Sequence, residues 1–250
     1  MAHQRNTRFA VLLSLCLALT MAPVMTAGAE TPPLEMTRLW EKAAHYMTHH
    51  HWVPGNVVEQ EKTFNLKGQL EEETRVVLGL APDDGNTIRL NLLSAEENGK
   101  DVSHQARSAI ESHVTLSELV GDTPFTPTKG QTVTAHYNGQ HRQLNGRECC
   151  GFSFLFNTGE ATIEGTAWLD QKTGLPLEVH SRIVTVPFMQ DDVKITSFSE
   201  SEYYTITGQG DCLLDRSLTE MHIVVPKLWF RGRVKTVCFC KDHWKYVSVK

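Results

Sequence analysis

Residues 165–180, G-T-A-W-L-D-Q-K-T-G-L-P-L-E-V-H, constrain this fold more than any other stretch. They read as a β-hairpin, because side chains alternate between the two faces of a strand. Asp170 to Gly174 forms the turn: Asp caps it, and Gly supplies the positive φ that a bulged loop needs. A turn centred near Lys172 opposes Leu169 to Leu175, Ala167 to Leu177 and Gly165 to Val179. That face is apolar or Gly throughout. The other face opposes Thr166 to Glu178 and Trp168 to Pro176. An antiparallel pair with one greasy side must bury that side against something else.

The same alternation recurs along the chain. Strands are expected over 57–66, 69–80 (Thr74, Val76, Leu78 and Leu80 on one face) and 87–93 (Ile88, Leu90 and Leu92), with a turn over 82–86. They are expected again over 131–137, 140–144, 193–206, 212–225 and 228–240. Asn138-Gly139 and Asn145-Gly146 read as hairpin turns. Cys150, Phe152, Phe154 and Phe156 share a strand face. Two helical segments break the pattern. The first opens at Thr31-Pro32-Pro33 and carries Leu39, Ala43 and Tyr46/Met47 at helical spacing to about His49. The second, a helix or a helical pair, carries Val102, Ala106, Ile110 and His113/Val114 and reaches about Val120. Residues 121–130, rich in Pro and Thr, read as a flexible seam. Roughly ten strands in a near-meander are expected, with strand character on both sides of that seam favouring one sheet.

Residues 1–29 read as a secretory signal: Arg5 and Arg8, a short apolar run over 9–19, and Ala27-Gly28-Ala29 before Glu30. The run is too short to span a bilayer, which takes roughly 20 apolar residues. A single domain over 30–250 is expected, exported to the periplasm and not membrane-spanning. The net charge is −5, and no basic block is present, which argues against nucleic acid as a partner.

Export leaves five cysteines, Cys149, Cys150, Cys212, Cys238 and Cys240, an odd number. A hairpin centred on Pro226 opposes Leu214 to Cys238, Leu218 to Val234 and Cys212 to Cys240. The expected disulfide is Cys212–Cys240, with Cys212–Cys238 as the alternative in the neighbouring register. His45 and His49 lie four apart, on one helix face, but no acidic residue completes an H-E-x-x-H arrangement. They read as a solvated helix end, and no metal is expected. G-x-S-x-G is absent. Asp191-Asp192 and Glu71-Glu72-Glu73 read as solvated charges rather than acid/base pairs. No catalytic residue and no cofactor are assigned. Phe152, Phe154 and Phe156 serve either as core or as ligand wall, and Trp229, Phe230, Phe239 and Trp244 gather near the last strand.

Several blocks carry a family resemblance. N-G-K-D-V at 98–102, N-G-R at 145–147, the G-T-A-W-L-D-x-x-T-G-L-P-L block and W-F-R-G-R-V-K-T-V-x-F near the end resemble the periplasmic lipoprotein-carrier-like (LolA-like) superfamily, in its uncharacterised branch. The resemblance implies a mainly β fold. A strongly curved antiparallel sheet forms an incomplete, half-open barrel, and the N-terminal helix and the helical insertion cover its concave face. It also implies binding of acyl chains or lipoproteins there; no binding residue carries over from the family.

A sheet of this many strands must curl to bury one apolar face, and few helical residues are available to cover it. The expected function is therefore a carrier of a lipid, an acyl chain or a lipoprotein's lipid moiety, not an enzyme. The expected lining is Val76, Leu78, Ile88, Leu90, Phe152, Phe154, Leu169, Leu177 and Val179. The alternative is a structural or regulatory envelope module that binds a protein partner through its sheet edge or its Cys-rich end, without lipid.

Overall fold

The computed structural model describes residues 34–83, 87–120, 123–159, 161–184, 188–190, 193–225 and 230–246. The chain is mainly β. It begins with α1 (Leu34–His49), followed by β1 (Trp52–Val53), β2 (Asn56–Asn65), β3 (Leu70–Pro82), β4 (Thr87–Glu97) and β5 (Lys100–Asp101). An insertion comprises α2 (Ser103–Ile110), β6 (Ser112–Thr115) and α3 (Leu116–Val120). Then come β7 (Thr132–Leu144), β8 (Arg147–Asn157), β9 (Thr162–Asp170), β10 (Pro176–Ile183), β11 (Phe188–Gln190), β12 (Val193–Ile206), β13 (Cys212–Val225), β14 (Phe230–Lys241) and β15 (Trp244–Lys245).

One antiparallel sheet runs in the order β5-β4-β3-β2-β14-β13-β12-β10-β9-β8-β7. Each neighbour on this path follows the last in the chain, except at the β2–β14 junction that joins the first strands to the last. Cyclic order with one missing pair is a barrel left open: among the described residues β7 does not pair with β4 or β6. β6 pairs along β4 and α2 packs on β4, so the insertion extends that side of the opening. The expected half-open barrel is what the coordinates show.

The central hairpin has the expected turn and a different register. Asp170, 2% exposed, accepts hydrogen bonds from Thr173 N (3.2 Å), Thr173 Oγ1 (2.6 Å) and Arg147 (3.3 Å). Gly174 has φ +80, and a Cβ there would stand 2.9 Å from Lys42 Cβ and 3.0 Å from Leu39 O. That glycine thus provides both the turn and the close approach of α1. A bulge at Leu177 then displaces the pairing. Ala167 opposes Val179, Gly165 opposes Ser181 and Trp168 opposes Glu178. The extra residue turns Leu177 to the opposite face from Ala167 and Leu169, and it packs with Cys149 and Trp168.

Three other expectations are corrected. Asn138-Gly139 is a bulge inside one continuous β7 rather than a turn: Tyr137 opposes Phe152 and His141 opposes Cys150. The Asn138 side chain bonds Gln140 N at 3.0 Å and lies over Gly151, which has no Cβ to block it. The second helical segment is a pair, α2 ending at Ile110 and α3 at Val120, but His113 and Val114 lie on β6, which pairs along β4 between them, and not on a helix. Finally, 121–130 is no flexible seam where it is described. Thr123 and Phe125 are buried, and Thr123 Oγ1 and Thr126 Oγ1 share a 2.8 Å hydrogen bond.

The β13–β14 hairpin is centred between residues 227 and 228, not on Pro226, because Val225 already opposes Phe230. Leu218 therefore opposes Val237, and Cys238 opposes Ser217. Cys212 opposes Ile206 on β12, and Cys240 opposes Val57 on β2. Neither expected pairing of Cys212 is formed, and Cys149, Cys150, Cys212, Cys238 and Cys240 are all free thiols. The 1–29 signal, the Thr31-Pro32-Pro33 helix start, part of the 82–86 turn, Asp191-Asp192, Pro226 and Trp229 lie outside the described residues.

Candidate functional site: the concave face

The register of the sheet decides which side chains line the hollow. From β7 to β10 they are apolar: Val133, Ala135 and Tyr137, then Cys150, Phe152, Phe154 and Phe156, then Ala167 and Leu169, then Val179. α1 covers this wall with Leu39, Ala43, Trp40 and Met47. Trp40 stacks at 4.8 Å on Phe125, which comes from the stretch between α3 and β7. Tyr46 ties the helix to the sheet, its hydroxyl accepting from Cys212 N at 2.8 Å. The wall's centre, from Cys150 to Val179, is removed from water, while Val133, Ala135 and Tyr137 toward β7 are partly buried.

A second apolar wall lies on the other side of the opening. Val76, Leu92 and Ala95 pack against Ala106 and Ile110 of α2. Ile88, Leu90 and Leu80 pack with Val53 and Val114. Leu78 touches both groups. Of the expected lining residues, Phe152, Phe154, Leu169 and Val179 come together under α1. Val76, Leu78, Ile88 and Leu90 form the opposite wall. Leu177 faces the other side of the sheet.

Between these walls the concave face is acidic. On β2 the inward residues are Val57, Glu59, Glu61 and Thr63; opposite them on β14 stand Cys240, Cys238, Thr236 and Val234. β13 continues with Ser217 and Thr219, and β12 with Glu202 and Glu200. All four carboxylates are half-buried. Burial, with the charges of Glu59 and Glu72, raises the Glu61 pKa to about 7. Burial, with Glu200, raises Glu202 to about 8, against a hydrogen bond from Tyr204 of 3.0 Å. Burial likewise pushes Glu59 and Glu200 above the ordinary carboxylate value. The thiols feel the same strip. Burial first, and then Glu59 with a smaller contribution from Glu200, lifts Cys238 to about 12. Burial, Asp215 and Glu202 lift Cys240 to about 11. These thiols are protonated at neutral pH and are poor nucleophiles and metal ligands.

The sequence reading missed these glutamates. Their one signal is a repeated E-x-E, Glu59-Gln60-Glu61 and Glu200-Ser201-Glu202. Both flanking faces are polar there, so period-two hydrophobicity does not say which side is inside.

The other candidates fall elsewhere. His45 and His49 stack at 4.3 Å, and His49 Nδ1 donates to His45 O at 2.7 Å. Among the described residues no group of three His, Cys, Asp or Glu is placed to hold a metal. Glu73 pairs with Lys62 at 3.0 Å, on the outer face. A separate open groove of about 620 Å3 runs between α1 and two turns, lined by Arg38, Lys42, His45, His50, Thr173 and Gly210 among others. No described helix is long and apolar enough to cross a membrane.

No family model matches this chain, and no curated protein matches it. Among solved structures it is similar to a DUF1329 family protein from Desulfovibrio piger, at 8% identity and TM-score 0.38 over 86% of this chain and 94% of that one. It is also similar to a putative outer membrane lipoprotein-sorting protein domain from Vibrio parahaemolyticus, at 10% identity and TM-score 0.37 over 84% and 93%. The second carries the lipoprotein-sorting description that the sequence resemblance anticipates. At these scores the likeness carries no functional argument, which rests on this chain's own residues.

Proposed function

We propose that this protein is a non-enzymatic carrier of the cell envelope, exported by its 1–29 leader to the periplasm as one domain over 30–250. It holds a lipid, an acyl chain or the lipid moiety of a lipoprotein on its concave face. The observation that carries this reading is how the apolar wall is covered. Phe152, Phe154, Leu169 and Val179 are sealed by one helix and by Phe125, not by closure of the sheet. A helix and a crossing segment separate from a sheet at lower cost than a strand does, since no ladder of hydrogen bonds breaks. Val76, Leu78, Ile88 and Leu90 provide the facing wall. Each methylene buried there contributes about 0.8 kcal/mol, so a chain of a dozen carbons suffices for capture.

Native mass spectrometry of protein purified without detergent, followed by titration with a fluorescent fatty acid, tests this. Bound lipid or saturable uptake supports it; a ligand-free protein that takes up neither the fatty acid nor an uncharged long-chain alcohol overturns it. A second reading rests on β7, which is 13 residues long and pairs with β8 alone among the described strands. An open edge of that length is a template for an added strand from a protein partner. Retention of an envelope partner by a lipid-free protein favours that reading.

A further inference from the structure

The acidic strip is out of place in a purely greasy carrier. Glu59, Glu61, Glu200 and Glu202 point into the hollow from strands that hold no inward Lys or Arg among the described residues. No ion pair reaches any of the four among those residues, whereas Glu164, Glu178 and Glu220 on the outer face each pair with arginine. Charges taken partly out of water without a counter-ion are costly, and proteins place them so where something else supplies the charge.

A second observation lies in the middle of the strip. Thr236 is 5% exposed and opposes Glu61 on one side and Thr219 on the other. Its Oγ1 is buried with no hydrogen-bond partner. It stands near enough to Glu61 to ease that carboxyl's burial slightly, yet outside hydrogen-bond geometry. A buried hydroxyl without a partner costs about 1–3 kcal/mol. It faces the same side as the four carboxylates. Four carboxyl groups and an unpartnered hydroxyl converge here with no cationic side chain among the described residues, bounded by apolar walls on both sides.

We propose that the strip of Glu59, Glu61, Glu200 and Glu202 around Thr236 recognises the protonated amine of an amphiphile whose chain lies along the apolar wall. An ammonium group provides three N–H donors and no acceptor, which complements a surface of carboxylate and hydroxyl oxygens. Entry of the cation favours the ionised form of glutamates that burial otherwise biases toward neutral. A fatty-acid carboxylate brings the wrong charge to the same place. The inference rests on the carrier reading and adds the head group to it. A free long-chain amine and an amine-bearing lipid present the same chemistry.

Calorimetric titration of the full protein with dodecylamine, dodecanol, dodecanoate and spermidine tests it. The expected order is dodecylamine tighter than dodecanol by about tenfold, the ratio that one charge-assisted hydrogen bond supplies, and dodecanoate weakest. In Glu61→Gln/Glu202→Gln the advantage of the amine over dodecanol falls below about threefold, while dodecanol binding is unchanged. These substitutions remove buried charge, and circular dichroism checks that the variant remains folded. Equal affinity for amine and alcohol overturns the proposal and leaves the carrier reading standing. Spermidine binding as tightly as dodecylamine also overturns it, because the chain then has no part. Failure of all three C12 compounds to bind overturns the carrier reading itself. Vesicles with and without an amine-bearing lipid then distinguish a membrane source from a free amine: extraction only from the former identifies a lipid ligand, and extraction from neither identifies a free one.

Discussion

Trp40 of α1 and Phe125 meet with ring centroids 4.8 Å apart, and Trp40 also stands 5.9 Å from Phe152 and 6.0 Å from Phe154. One ring therefore joins the helix, the crossing segment and the apolar wall. Phe125 is 2% exposed and belongs to the same buried cluster as Phe152 and Phe154. The pair is the stopper of the hollow.

Phe125→Ala removes the buried half of the stopper. The expected cost is about 3 kcal/mol in urea unfolding, as for other buried phenylalanines. Uptake of a fluorescent fatty acid, followed by stopped flow, should be faster than in the parent protein. An unchanged rate would place the route into the hollow elsewhere.

The acidic strip makes stability depend on pH with a defined sign. Glu61 and Glu202 titrate near 7 and 8 in the fold, against 4.5 for the ordinary carboxyl. Between those values the folded protein holds more protons than the unfolded chain. Stability from these groups is therefore present below about pH 4.5 and is lost as pH rises through about 7 to 8. The difference in unfolding free energy between Glu61→Gln/Glu202→Gln and the parent, from urea titrations, should grow on going from about pH 5.5 to 8.5, reaching about 1–2 kcal/mol in favour of the variant. A difference constant over that range contradicts the raised values.

Gly165 on β9 sits beneath the Phe154 ring. A Cβ there would overlap His180 O and the ring edge, with Cε1 at 2.7 Å. Gly165→Ala should cost about 1–3 kcal/mol, measured as a shifted urea midpoint at constant slope. Adding Phe154→Leu should recover part of the loss, since the ring gives way and the backbone carbonyl does not.

Asp170 is the buried anchor of the central turn. Its carboxylate serves Thr173 twice and Arg147 once. Asp170→Ala should destabilise by about 2–4 kcal/mol, because it strands Arg147, only a third exposed, and frees the turn. Asp170→Asn should cost less, as the amide oxygen still accepts from Thr173; equal losses would mean the charge alone matters.

The thiols give a chemical test of the β13–β14 register. Non-reducing peptide mapping should find Cys212 and Cys240 unlinked, because they oppose Ile206 and Val57. Native-state alkylation at neutral pH should be slow at Cys212, which burial and Glu202 hold near 12, and fast only after unfolding. A Cys212–Cys240 peptide would require a hairpin slipped by three residues.

How far the fold was legible varies element by element. Leu39, Ala43 and Tyr46 announce α1, and Phe152, Phe154 and Phe156 announce the inner face of β8, because one-sided burial writes its period into the chain. Asn145-Gly146 is read correctly as a turn, with φ of +50 and +74, since few residues tolerate that backbone. Asn138-Gly139 has the same composition and makes a bulge, because a long partner strand was available on which β7 could continue. Leu177 is assigned to the wrong face for a related reason. A bulge adds one residue to one strand, and nothing local to the residues distinguishes it from regular alternation.

Composition and alternation alone thus determined that this chain forms a large half-apolar sheet with a helix to lay against it, since those periods are set by backbone geometry whatever the partners. Tertiary structure decided the rest: that β2 joins β14, that Glu59 and Glu61 thereby share a hollow with Glu200 and Glu202, and that Phe125 rests on Trp40. Those contacts join residues from about 85 to 185 positions apart. At such separations only packing of the whole sheet, and no local preference, selects the partner.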